Sequence, residues 1–312
     1  METISLHLVK NMSTIYQRQN EPGMVGAQRA ARCLYSKAKR LAGINYFGTL
    51  FFAVLFSVLA TYIKDNRIDY WSFAVTIIVF LANFGFDYFI NKTKAFAAGL
   101  QQYFDLVVFD IPESKKYLTH GIPNISKRIE VIAKYKDKNV GKIENWYDNY
   151  SGLSKYNQVL KCQEESIRWD AELRKKYIWL LIVFCVLEIF IVISFAIHGT
   201  GLVNGFAVAV WVVPILKVAL TVIVNLVKDI GRLKDLENEK DQAEAIRQDE
   251  TKLFESVCDL QHLIYEHRKQ CCLIPDSFYN FFHKKDQMRE NKIREEILRE
   301  EKQDESDDQS EN

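Results

Sequence analysis

Two groups of side chains in this sequence could do chemistry, and both are charges in unusual places. The first lies inside apolar runs. Glu188 interrupts the stretch Tyr177–Ile197, YIWLLIVFCVLEIFIVISFAI. Lys217, Thr221 and Asn225 recur every four residues between Val203 and Val227, after Pro214. Asn83 and Asp87 repeat that step between Tyr70 and Ile90 and share a sector with Thr76. Steps of four place side chains on one helix face. A charge at the centre of a bilayer costs about 2.5–3.5 kcal/mol and usually faces a bundle interior or water. Two readings follow: these residues bond helix to helix, or they line a water-filled path in an oligomer. A Glu188–Lys217 pair within one chain has to bridge an axial offset of about 10 Å, so it needs a tilt or a bend at Pro214.

The second group is basic. Lys127, Arg128 and Lys134 lie in one stretch, and Arg168 and Arg174 precede the third apolar run. These five are candidate contacts for the phosphates of a ligand. Next to an apolar run, Lys and Arg also meet anionic lipid, and farther away they form a solvated helix face. Trp146 and Trp169 can stack on a base or fill a small core.

Catalytic patterns are absent. There is no G-x-S-x-G, H-E-x-x-H, P-loop or G-x-G-x-x-G. His262 and His267 are five residues apart, which does not align them as an i, i+4 metal pair. Asp105 and Asp110 flank an apolar stretch, where the choice is a carboxylate pair or, the expected case, a solvated face and a helix end. The six cysteines form no C-x-x-C pair and fit reduced thiols in a cytosolic setting. An enzyme is not expected, nor a metal or a cofactor.

The elements that must hold these residues are membrane helices. A span needs about 20 mostly apolar residues, and four stretches qualify: Tyr46–Ile63, Tyr70–Ile90, Tyr177–Ile197 and Val203–Val227. The mean hydropathy of −0.13 hides them because very polar segments dilute the average, and the net charge of +1 cancels a basic first half against an acidic tail. The first 30 residues hold no apolar run, so the first span is expected to direct insertion. Five Lys/Arg lie between Arg29 and Arg40, and Lys228, Arg232 and Lys234 follow the last span. The positive-inside rule then places both termini and residues 91–176 in the cytoplasm.

The expected class is all-α and polytopic, with four transmembrane helices and helical cytosolic segments. The expected organisation is a cytosolic N-terminal helical segment (1–45), a hairpin (46–90), a cytosolic helical region (91–176), a second hairpin (177–227), a C-terminal helical region (228–283) and a charged tail (284–312). Pro22-Gly23 should break a short first helix from a second over Gln28–Leu41. Asn124–Asp137 reads as a basic amphipathic helix, and Leu153–Lys176 as a helix running into span three. Lys228–Gln270 reads as one long helix, with Leu253, Val257, Leu260 and Ile264 on one stripe. The tail cannot bury enough apolar area to fold.

Several short motifs, in order, resemble the SMODS-associated four-transmembrane effectors encoded beside cyclic-oligonucleotide synthases in bacterial anti-phage (CBASS) systems. They are Gln19-Asn20, Ala27-Gln28-Arg29 with Tyr35 and Ala38-Lys39, Gln101-Gln102 with Phe104-Asp105, Trp146-Tyr147, Trp169-Asp170 with Leu173-Arg174, and Ile274-Pro275-Asp276 with Phe278-Tyr279. The resemblance covers about residues 15–290. It implies a multi-pass protein of the bacterial inner membrane, idle until a cyclic oligonucleotide binds. It would then oligomerise, permeabilise the membrane and cause abortive infection. The implied partners are that messenger, the lipid bilayer and further copies of the chain, with no DNA or RNA polymer. The competing expectation is a non-conducting membrane scaffold or a small channel or transporter that recruits a cytosolic partner.

Overall fold

The computed structural model describes residues 14–62, 66–112, 114–141, 143–198 and 202–282. Every regular element among them is helical: α1 (Ile15–Arg18), α2 (Pro22–Tyr62), α3 (Asn66–Val108), α4 (Lys116–Thr119), α5 (Ile125–Lys134), α6 (Lys155–His198), α7 (Leu202–Ala245) and α8 (Glu250–Gln270). Residues 276–282 are helical as well. The turns expected at the far ends of the two hairpins fall largely on 63–65 and 199–201, and the charged tail on 284–312. These lie outside the described residues.

Four helices of more than 40 residues dominate. The sequence divides each into a span and a polar segment, but no break separates the two, so each helix is one rod. Pro22 opens α2 rather than breaking it. At the first helical position its missing N–H costs nothing and its fixed φ suits the helix. Just before it, Thr14 caps α1 through the Gln17 amide, and Gln17 returns the bond.

The helices pair as two antiparallel hairpins, α2 on α3 and α6 on α7. Small residues set the first seam: Ala30 and Ala31 of α2 pack on Ala97 and Leu100 of α3 with no exposure. α5 closes over it through Val131 and Ile132. Asn124 caps α5 by accepting from the Lys127 amide at 3.0 Å.

Lys228–Gln270 is not one helix. The chain turns at 246–249, and Asp249 caps a new helix by accepting from the Lys252 amide at 3.1 Å. The reason is the stripe itself. Leu253, Val257, Leu260 and Ile264 are all buried, and only by doubling back can they enter the space between α3, α6 and α7. His267, Arg268 and Lys269 in the last turn of α8 suit the negative end of its dipole. Where the loop over α3 crosses, Gly99 faces the Gly121 carbonyl with no room for a Cβ, and Gly121 sits at φ +86 under the Tyr265 hydroxyl.

Burial splits each long helix in two. On α3, Phe84 is 63% exposed while Phe104, farther along, is 1% exposed. On α6, Phe190 is 67% exposed while Leu160 is fully buried. Exposed aromatic and aliphatic side chains on one half are what a lipid-facing surface needs, and the segments Phe73–Val108 and Lys155–Ser194 are long and apolar enough to cross a bilayer.

Candidate functional site

A cavity of about 330 Å³ opens in the buried, polar half of the molecule. One face of α2 supplies its first wall with Gln28, Arg32, Tyr35 and Lys39, at steps of four, three and four. α6 supplies Trp169, Asp170 and Arg174 opposite, α8 supplies His267 and Arg268, and Trp146 reaches in from the loop before α6. Asp276 and Tyr279 complete the rim.

The loop is held in place from a distance in sequence. Gln19 exchanges two bonds with the Tyr147 backbone, donating to its carbonyl at 2.9 Å and accepting its amide at 2.7 Å. Asn20 accepts the Asn145 amide at 2.9 Å and donates to the Asn145 side-chain oxygen at 2.8 Å. Asn145 is at φ +54, so this double clamp fixes a backbone that asparagine tolerates better than most residues. Trp146 therefore stands on a rigid support.

Below the cavity lies a polar network. Asp105 is 1% exposed. It accepts from the Tyr147 hydroxyl at 2.7 Å, from Gln261 at 2.9 Å and from Arg268. Gln261 also donates to Gln102 and accepts from Gln163. This corrects the sequence expectation of a solvated Asp105. Burial alone would lower the Arg268 pKa, but Asp105 more than offsets it, and the guanidinium is held well above its ordinary value. Asp110 does mark a helix end: it sits at φ +55 and pairs with Lys155 at 2.9 Å.

A second network joins the cavity to the membrane border. Arg174 donates to Asp170 at 3.0 Å, to Asp229 of α7 at 2.5 Å and to the Cys272 carbonyl at 3.0 Å. Asp170 also meets His267 Nε2 at 2.7 Å. Burial would raise the Asp170 pKa, but Arg174 and His267 reverse this and keep it well below the usual carboxylate range. Asp170 and His267 do not amount to a nucleophile's relay here. The neighbouring Cys271 thiol is pushed up by burial, the opposite of what an activated cysteine requires.

Three residues that line the cavity each carry a buried polar atom with no hydrogen-bond partner: Gln28 Nε2, Tyr35 OH and His267 Nδ1. Burial drives the Tyr35 phenol far above its ordinary pKa, so it remains a neutral hydroxyl. An amide donor, a hydroxyl and an imidazole nitrogen, flanked by Trp146 and Trp169, can bond the edge of a heterocyclic base and stack on its face. The cations nearby carry carboxylate partners: Lys39 with Asp276 at 2.6 Å, Arg174 with Asp170, and Arg268 with Asp105.

The five basic candidates are not one site. Arg174 lines the cavity. Arg168 bonds Glu164 at 3.1 Å along α6. Lys127, Arg128 and Lys134 ride on α5; Arg128 lies over the Tyr103 ring and Lys134 over Tyr135.

The intramembrane candidates are also dispersed. Asn83 accepts from Thr49 of α2 at 3.2 Å, a bond between α2 and α3. Asp87 is exposed. Glu188 is 8% exposed, and its Oε2 has no partner. Lys217, Thr221 and Asn225 share an exposed groove on α7. Glu188 and Lys217 form no pair.

Sequence reasoning left Gln28, Tyr35, Asp105, His267 and Arg268 out of the site. A signal existed: the motifs that carry the family resemblance converge here, with Gln28, Tyr35, Lys39, Trp146, Trp169, Arg174, Asp276 and Tyr279 all on the cavity wall. The sequence profile of the SMODS-associating 4TM effector domain matches residues 13–297. Neither a curated protein nor a solved structure matches the chain. A membrane protein built of continuous helices around a cavity in its polar half, this chain belongs to the SMODS-associating 4TM effector domain family.

Proposed function

We propose that this chain is a CBASS-type effector that binds a cyclic oligonucleotide in the Trp146–Trp169 cavity and responds by permeabilising the bacterial inner membrane. It acts by binding rather than by catalysis. The chain crosses the bilayer four times with both termini in the cytoplasm, so the cavity faces the compartment in which a synthase product accumulates. The ligand-bound state assembles several copies, and the infected cell dies.

One observation carries this reading: the walls of the cavity belong to helices that run on without a break into the apolar half. The face of α2 bearing Gln28 to Lys39 continues to Tyr62, and the face of α6 bearing Trp169 to Arg174 continues to His198. A ligand that prefers a different spacing of these walls shifts the populations of the spans as well. Stacking on an aromatic side chain contributes about 1–3 kcal/mol per base, so stacking on Trp146 and Trp169 that is made in the responding state alone shifts the populations by tens-fold or more.

The test is dye release from liposomes containing the purified chain, challenged with a panel of cyclic di- and trinucleotides. At least one should cause release, and Glu188→Leu or Lys217→Leu should change its rate without loss of insertion. No release with any member of the panel would defeat the proposal. Normal release by both variants would remove the polar spans from the path.

A further inference from the structure

We infer that Arg32, Ser36 and Lys39 form an anion seat for a phosphoryl group, and that the chain's own Asp276 occupies it in this structure. The inference rests on the proposed function only for the source of the phosphoryl group; the seat itself is read from geometry. The three residues fall on one face of α2, at steps of four and three. The Lys39 ammonium meets the Asp276 carboxylate at 2.6 Å, and the Ser36 hydroxyl bonds the same side chain. Arg32 lies 5.2 Å above the Tyr279 ring, one helical turn from Asp276. Arg32 and Lys39 open onto the same cavity as Trp146 and Trp169. The Asp276 side chain is 43% exposed, so solutes reach the contact.

A carboxylate and a phosphoryl group present the same feature to this seat, an anionic pair of oxygens. Either group also accepts the two-pronged donation of a guanidinium, and Arg32 stands on the same face of α2. Exchange of one for the other breaks the Lys39 ion pair and the Ser36 bond that tie Asp276 to α2. The ties of this segment to α6 stay: Ile274 packs with Leu173 and Leu226, and the Phe278 ring lies 4.9 Å from Tyr177 where α6 enters its span. Filling the seat therefore removes one of the links between the first hairpin and the second. Asp276 is an internal competitor that sets how much ligand this takes.

The phosphoryl group can belong to a soluble nucleotide or to a lipid headgroup, and the experiment separates the two. Full-length protein in phospholipid-free detergent micelles is titrated with pyrophosphate, with hydrogen exchange read at 274–282. Asp276→Asn should bind pyrophosphate about fivefold more tightly than the unaltered chain, the loss expected for one partly exposed ion pair, and its 274–282 amides should exchange faster without ligand. The swap Lys39→Asp with Asp276→Lys restores the pair with its charge reversed; exchange should stay slow and pyrophosphate should not bind. Equal affinity and equal exchange in Asp276→Asn, or pyrophosphate binding by the swap, overturns the seat. Should Asp276→Asn not fold, the unaltered chain decides: exchange at 274–282 must rise at saturating pyrophosphate, and unchanged exchange overturns the seat. Faster exchange in phosphatidylglycerol nanodiscs without pyrophosphate upholds the seat and assigns it to lipid. If the seat holds in micelles but no cyclic oligonucleotide releases dye, the effector reading fails and the seat stands.

Discussion

Asp105 and Glu188 are both carboxylates with less than a tenth of their surface exposed, one in the polar half of the molecule and one in the apolar half. Asp105 has three donors, from the loop before α6 and from α8. Glu188 has an oxygen that meets nothing. The contrast extends to the surroundings. Around Asp105 the buried amides of Gln102, Gln163 and Gln261 are bonded to one another and to backbone, which fixes a single arrangement. Around Glu188 the neighbouring helix offers Lys217 and Asn225 on an exposed face, with no bond to it. A buried carboxylate with three donors is held in place, whereas one with an unpartnered oxygen is relieved by a rearrangement. The network around Asp105 is built to hold its shape, and the apolar half around Glu188 has slack.

The largest expected effect breaks the rigid side of this comparison. Asp105→Ala strands Arg268 in a buried site and should lower stability by about 3–5 kcal/mol, read from thermal or denaturant unfolding in micelles. Next comes the acid limit. The pKa values of Asp170 and Asp276 are both lowered in the folded chain, so their stabilisation is fully present above the ordinary carboxylate range and is lost as pH falls through the depressed values. Melting should be insensitive to these groups between about pH 7 and 5 and fall below about pH 4, with Asp170→Asn blunting the fall. Gly99→Val drives a side chain into the Gly121 carbonyl and should cost about 1–3 kcal/mol, with α4 and α5 exchanging amide hydrogens faster. Smallest is Glu188→Leu, which removes an unpartnered buried carboxylate; its change in stability should be under about 1 kcal/mol, of either sign. A large loss there would mean that Glu188 is structurally bonded after all.

Much of the fold was legible because hydrophobic period and charge asymmetry report directly on burial. The stripe Leu253–Ile264 is where periodicity puts it, and Asn124 caps α5 as its position suggests. The reversal at 246–249 was not legible. The stretch from Lys228 to Gln248 has neither Pro nor a late Gly to stop it, and the Asp249 cap becomes a signal only once α8 has a groove to enter. The site was half legible. Trp146, Trp169 and Arg174 could be named as types that suit a nucleotide, whereas Tyr35, His267 and Arg268 come together only through helix pairing across long sequence separations. Lys127, Arg128 and Lys134 attracted notice by density of charge, a property that a solvated helix face shares.

The claim that a cavity in the polar half governs the apolar half is tested most directly by hydrogen exchange along the whole chain in liposomes, with and without a cyclic oligonucleotide that releases dye. Protection should appear at 143–148 and 166–174, with altered exchange running along α6 beyond Tyr177. Protection confined to α5 around Lys127–Lys134, or a response in the spans with none at the cavity, would contradict it.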